Sequence, residues 1–260
     1  MLHELRLFFV ALQFLTRVPM PRWVGWQDGW LNESARHFPA VGLCVGAVGA
    51  GVLWSAAHAW SALIAVLLSM AATIWLTGAF HEDGLADTCD GLGGAVSREK
   101  ALEIMKDSRL GTYGAVGLLL VLALKAAALH GLAVRDLAAS LALLPLAHAL
   151  SRSGTVVLLR VLPYGGDAEH AKAKPLAQRT DGPGLFTALM WAALAAAAAT
   201  LFVEPEVVLW ALLAAAGVTA WMARWLLQRL GGTTGDALGA TQQFSELAVY
   251  LAALAAMSMG

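Results

Sequence analysis

Apolar residues along this chain come in long blocks, and the polar ones are gathered into short stretches between them. A membrane span needs about 20 mostly apolar residues. By that measure the blocks at about 38–60, 62–80, 113–134, 137–160, 184–203, 206–230 and 241–259 predict seven spans, the fourth interrupted by Arg152. The first stretch, MLHELRLFFVALQFLTRVP, differs from these. His3, Arg6, Gln13 and Arg17 fall near helical spacing around an apolar face, which predicts an amphipathic helix lying in the interface and ended by Pro19 and Pro21. Glu4 and Arg6 beside the apolar run, and the lack of a small-x-small cleavage site, argue against a removable signal peptide.

The charges supply an orientation. With the N-terminus cytoplasmic, 15 of the 17 Lys and Arg residues fall on one side, including Arg98, Lys100, Lys106 and Arg109 after the second span and Arg152, Arg160, Lys172, Lys174 and Arg179 around the fourth loop. Arg135 lies outside and Lys125 within span three. Positive charge accumulates in cytoplasmic loops, so the long polar loops at 81–112 and 163–183 and the hinge at 231–240 are expected on the cytoplasmic face.

Composition agrees with a membrane protein. Of 260 residues 59% are hydrophobic and 13% charged, against about 25% charged in soluble domains. No Pro/Ser-rich linker divides the chain, which predicts a single all-α domain over 1–260: a polytopic bundle of about seven transmembrane helices plus the amphipathic one, with the lipid bilayer as its surroundings. A net charge of -1 with scattered basic residues excludes the footprint of a nucleic-acid binder. Cys44 and Cys89 make neither a disulfide framework nor a zinc site. Walker, dinucleotide, nucleophile-elbow and HExxH motifs are absent.

The densest chemistry is HEDGLADTCDG at 81–91, with four of the 18 acids of the chain. Asp83, Asp87 and Asp90 stand at i, i+4 and i+7, an arc of about 60° if span two runs on as a helix. Glu82 lies on the flank. Such a run is either a solvated helix end or a site for a cation or proton. The scarcity of acids elsewhere and the cost of ionisable groups near lipid favour the site. Oxygen donors point to Mg²⁺, Mn²⁺ or Ca²⁺, and Mg²⁺, which shares its shell with water and phosphates, suits an intracellular site best.

Two further stretches extend this chemistry. KDSRLGTYG (106–114) offers Lys106 and Arg109 as phosphate clamps and Asp107 as a further acid. Gly111 and Thr112, with Gly114, open the next helix, where backbone N–H groups attract an anion. GGTTGDALGAT (231–241) brings Asp236 into the last helix, with Thr233 and Thr234 as alternative caps. Deeper in that helix Glu246 needs a partner: a metal, a base such as Lys125, or a proton. His81 adjoins the acids as a general base, phosphate contact or structural residue; the ten tryptophans read first as interfacial anchors.

FLTRVPMP (14–21), FPAVGLCVGA (38–47), GAFHEDGLADTCDGLGG (78–94), ALEIMKDSRLGTYG (101–114) and GGTTGDALGAT together resemble the cobalamin synthase family, the membrane-bound adenosylcobinamide-GDP ribazoletransferases. The resemblance implies a Mg²⁺-dependent enzyme of the bacterial inner membrane, its site facing the cytoplasm. It implies a reaction of adenosylcobinamide-GDP with α-ribazole or its 5'-phosphate, giving adenosylcobalamin or its phosphate and GMP. It carries metal-site roles to Asp83, Asp87 and Asp90, further roles to Asp107 and Arg109, and another to Asp236. The mechanism expected has one or two Mg²⁺ on these acids bridging the pyrophosphate, Lys106 and Arg109 gripping phosphate oxygens, and Asp90, Glu82 or His81 as base. A homo-oligomer is left open.

A looser likeness joins DTCDG (87–91) to the opening of the CDP-alcohol phosphotransferase signature. A rival of another class is a cation- or proton-coupled transporter with Glu246 and Lys125 along its path.

Overall fold

The computed structural model describes residues 2–94, 97–166 and 177–259. Lys172 and Lys174, counted above among the cytoplasmic charges, lie outside the described residues. The N-terminal helix α1 (Leu2–Leu15) buries Leu7, Val10, Ala11 and Leu15 at helical spacing, as its amphipathic pattern predicts. It is pinned by polar contacts: Glu4 takes Arg36 at 3.1 Å and His37 at 3.0 Å, and His3 lies 3.0 Å from Glu33.

A short helix α2 (Trp30–Ser34) and a 3-10 turn lead into α3 (Phe38–Ala57), followed by α4 (Ala62–Thr77), α5 (Phe80–Gly94) and α6 (Arg98–Met105). Long helices α7 (Thr112–Arg135), α8 (Leu137–Val161), α9 (Gly182–Ala199), α10 (Pro205–Leu230) and α11 (Gly235–Met259) complete the bundle. The β-like pairing among the described residues is one bridge, Tyr164 with Thr233. It stitches the chain after α8 to the α10–α11 turn, with Gly165 N–H donating to Thr233 at 2.8 Å and Thr233 N–H to Pro163 at 2.9 Å.

The helices pack through small residues, as expected where lipid removes the hydrophobic drive between them. A methyl on Gly46 of α3 would stand 2.5 Å from the α-carbon of Pro145 in α8. The backbones of these helices therefore touch, and α8 is the most buried of the apolar helices. Large apolar side chains such as Trp75, Leu119, Phe186 and Leu201 face outward, the reverse of a soluble protein.

Two expectations are corrected. Among the described residues five segments, Trp30–Ala57, α7, α8, α9 and α10, are long and apolar enough to cross a membrane by length and composition, or six if α4 and α5 form one bent pair, where about seven were expected. The last helix is 25 residues long but carries Gln242, Gln243 and Glu246, all buried against protein. The second correction is that α4 does not run on into the acid cluster. Gly78 and Ala79 both take left-handed backbone angles, φ 70° and 58°, and the axis turns by 88°. Ala79 accepts this conformation without glycine's freedom, so the bend is imposed by surrounding contacts, among them Arg17 N–H to the Leu76 carbonyl at 2.8 Å.

Candidate active site

Helix α5 keeps the spacing of the acids although the helix before it ends. Asp83 is exposed and Asp87 half-buried on one face, while Glu82 and His81 are buried on another. Helix α11 crosses α5 at its glycines: an added methyl on Gly84 would stand 2.8 Å from the Asp236 carbonyl oxygen, and one on Gly239 would stand 3.2 Å from the carbonyl of His81. Thr234 accepts the Ala237 N–H at 3.2 Å and so caps α11.

These contacts bring Asp83, Asp87, Asp107 and Asp236 to the wall of one open cavity of about 400 Å³, together with Lys106, Ser108 and Tyr164. Phe80, Leu102 and Met105 form its apolar part. Tyr164 gave no signal in the sequence, since it reaches the cavity through the Tyr164–Thr233 bridge.

Asp90, expected as ligand and as base, lies elsewhere. Its two carboxylate oxygens accept the N–H groups of Gly111 at 2.7 Å and Gly114 at 2.8 Å. The first turn of α7 has unpaired N–H donors and the positive end of the helix dipole. The anion expected over Gly111 is therefore the protein's own Asp90, and a side chain at Gly111 or Gly114 would collide with it. Thr112 is exposed next to this contact, away from the cavity lining.

Arg109 is likewise engaged: its Nε donates to Asp107 Oδ1 at 2.9 Å, and its Nη2 reaches the other oxygen. That fork, with the Arg109 N–H on Asp107 at 3.0 Å, holds the Asp107 carboxyl down at about 2. The pair sits at the cavity rim, with the Arg109 side chain 87% exposed.

Glu82 and His81 open away from the cleft, into the bundle. Glu82 accepts from Gln243 at 2.9 Å, and Lys125 lies 2.6 Å from Glu246. The partners of Glu246 left open by the sequence thus include Lys125, His148 at 3.2 Å and the donating amide of Gln242. Arg152 is 1% exposed and donates to His148 at 3.1 Å, so it is a core residue rather than a loop charge and carries no orientation signal. Glu82 Oε2 and Arg152 Nε have no hydrogen-bond partner among the described residues. Sequence reading missed Arg152, Gln242 and Gln243 as members of this cluster. The adjacent glutamines, with Gln242 at i, i+4 to Glu246, are the signal that could have found it.

Fold and site together define a polytopic helical membrane protein with a carboxylate-lined cleft at one end of its bundle. Comparison with known proteins narrows the class. A family model described as cobalamin-5-phosphate synthase matches residues 7–254. An adenosylcobinamide-GDP ribazoletransferase of Leptothrix cholodnii is 60% identical over 256 residues, covering 98% of this chain and 97% of that protein. Proteins of the same name from Albidiferax ferrireducens (44% identical, 95% and 96% covered) and Vibrio cholerae (41%, 97% and 95%) also match. No solved structure matches. The chain belongs to the cobalamin-5-phosphate synthase family.

Proposed function

We propose that this chain is an adenosylcobinamide-GDP ribazoletransferase whose reacting pyrophosphate lies in the acid-lined cleft. The observation that carries the reading is the meeting of Asp83 and Asp87 from α5, Asp107 from the loop after α6 and Asp236 from α11 with Lys106 around one open cavity. The acceptor is α-ribazole or its 5'-phosphate. Its hydroxyl gives up its proton to water as its oxygen forms a bond to the cobinamide-side phosphorus, the bond from that phosphorus to the bridging oxygen breaks, and GMP leaves with that oxygen.

Acids facing one cavity repel unless cations or protons neutralise them. Their all-oxygen donor set fits a hard cation, and Asp83, Asp87 and Asp236 would hold Mg²⁺. Among the described residues no three acidic, His or Cys side chains close tightly enough to hold an ion unaided. That fits Mg²⁺, which completes its shell with water and substrate phosphate oxygens. When bound, the ion neutralises charge on the pyrophosphate and the leaving phosphate.

The chain supplies the rest. Lys106 lines the cleft, where its ammonium group would bind phosphate oxygens. Asp107, kept charged by Arg109, is a weak base, so it orients rather than deprotonates. The excess of Lys and Arg in the loops around the cleft supports a location in the bacterial inner membrane with the cleft facing the cytoplasm.

Purified protein in detergent is expected to release GMP from adenosylcobinamide-GDP and α-ribazole without closed vesicles, as a transporter would not. Asp83→Asn and Asp87→Asn are expected to lower turnover by about 10²-fold. Undiminished turnover in either variant, or in excess chelator, overturns the reading.

A further inference from the structure

On the face of α5 turned away from the cleft, charges are buried that the proposed reaction does not use. Glu82, Lys125, Arg152 and Glu246 are each 8% exposed or less, two anions against two cations. Gln243 joins them: it accepts from Lys125 at 3.0 Å and donates to Glu82 at 2.9 Å. Burying ions costs several kcal/mol each, and apolar side chains of similar volume often give equal or greater stability. A role beyond stability is needed to account for such a cluster.

Its connection to the cleft is short. On α11, Asp236, Gly239 and Gln243 stand at i, i+3 and i+7, one stripe of the helix. Along that stripe Asp236 meets Gly84 and Gly239 meets His81 and Gly84, both through backbone. At the deep end Gln243 meets Glu82. Glycine contacts allow close approach, and Leu85 of α5 shares a buried apolar cluster with Ala237 and Ala240 of α11; to this packing the Glu82–Gln243 hydrogen bond adds a directional contact. Glu82 and Asp83 are separated by about 100° around α5. Fixing Glu82 toward Gln243 therefore turns Asp83, and with it Asp87, toward the cleft.

We propose that the buried cluster of Glu82, Gln243, Lys125 and Glu246 is a positioning device that sets the rotation and register of α5 on α11 and so brings Asp83 and Asp87 together with Asp236. Lys125 orients Gln243 from one side, and Glu246 holds Lys125 in turn. Glu82 and Gln243 are positioning residues, one step behind the acids that face substrate. The proposal rests on the reading of the cleft as the pyrophosphate site.

The test compares Gln243→Met, the double variant Glu82→Leu/Gln243→Met, and Glu82→Gln, which keeps an acceptor oxygen for Gln243. Purified proteins are compared by thermal unfolding, by Mn²⁺ binding in the presence of adenosylcobinamide-GDP followed by electron paramagnetic resonance, and by turnover against Mg²⁺ concentration. Folded variants lacking the Glu82–Gln243 bond are expected to bind Mn²⁺ and to reach half-maximal rate at metal concentrations roughly 10-fold or more above wild type, whereas Glu82→Gln recovers most of the loss. Any folded variant without the bond that keeps wild-type metal dependence and kcat overturns the proposal. Asp83→Asn run alongside separates the two failures: if it is fully active, the cleft reading falls. If it is inactive while the double variant behaves as wild type, only the positioning role falls.

Discussion

An added methyl on Gly84 would lie 2.8 Å from the carbonyl oxygen of Asp236 and 3.0 Å from its α-carbon. The acid-bearing helix α5 and the last helix thus touch backbone to backbone, one residue from Asp83. Gly84→Ala has to push α11 away, and Asp236 moves with it. Overpacking of this kind costs about 1–3 kcal/mol, and a displacement of about 1 Å at a reacting centre costs about 10²-fold in rate. The expected outcome is a folded protein with a lowered melting temperature and a loss of turnover beyond that of Gly217→Ala, where an added methyl meets nothing within 4 Å.

Asp90 sits at the N-terminus of α7, not in the cleft, and this separates its variants from those of Asp83. Asp90→Ala leaves the Gly111 and Gly114 N–H groups without their acceptor, a loss of about 0.5–2 kcal/mol for a helix cap. Asp90→Asn keeps one acceptor oxygen. Thermal unfolding should rank wild type above Asp90→Asn above Asp90→Ala. The Mg²⁺ concentration for half-maximal turnover should stay near the wild-type value in Asp90→Asn. A large rise there would return Asp90 to the ligand set.

The Asp107–Arg109 pair gives a pH prediction. Because Arg109 lowers the Asp107 pKa to about 2, the carboxylate keeps its charge as pH falls until that value. Arg109→Met removes the cause, and the pKa rises toward an ordinary value of about 4. Both lie well below neutrality, so Asp107 is charged in either protein at pH 6–9. Any loss of turnover in Arg109→Met is expected to be constant across that range. A loss that deepens toward pH 6 would mean that Arg109 acts on another titrating group.

Much of the candidate cleft was legible because helical periodicity needs no tertiary information. Asp83 and Asp87 share a face on α5 wherever that helix is placed, and Asp236 follows a Gly-rich turn that opens a helix in either reading. The relatives' names agree with the family resemblance carried by those same motifs. Asp90 stands apart from the other acids for an instructive reason. It shares the arc of Asp83 and Asp87, but 21 residues along the chain Gly111 presents unpaired N–H groups that reach it first.

By itself the sequence determined a helical membrane protein, the amphipathic character of α1, and the acids that concentrate at 81–91, 107 and 236, because hydropathy and spacing act within a segment. Only the tertiary structure decided which faces meet. The left-handed pair Gly78–Ala79 turns α5 out of the line of α4, and backbone contact at Gly84 brings Asp236 to Asp83 and Asp87. Burial also gives Glu246 a partner in Lys125, 121 positions away in the chain, at 2.6 Å. A buried charge must find an opposite charge or a hydrogen bond wherever the fold supplies one, and no local pattern records where that will be.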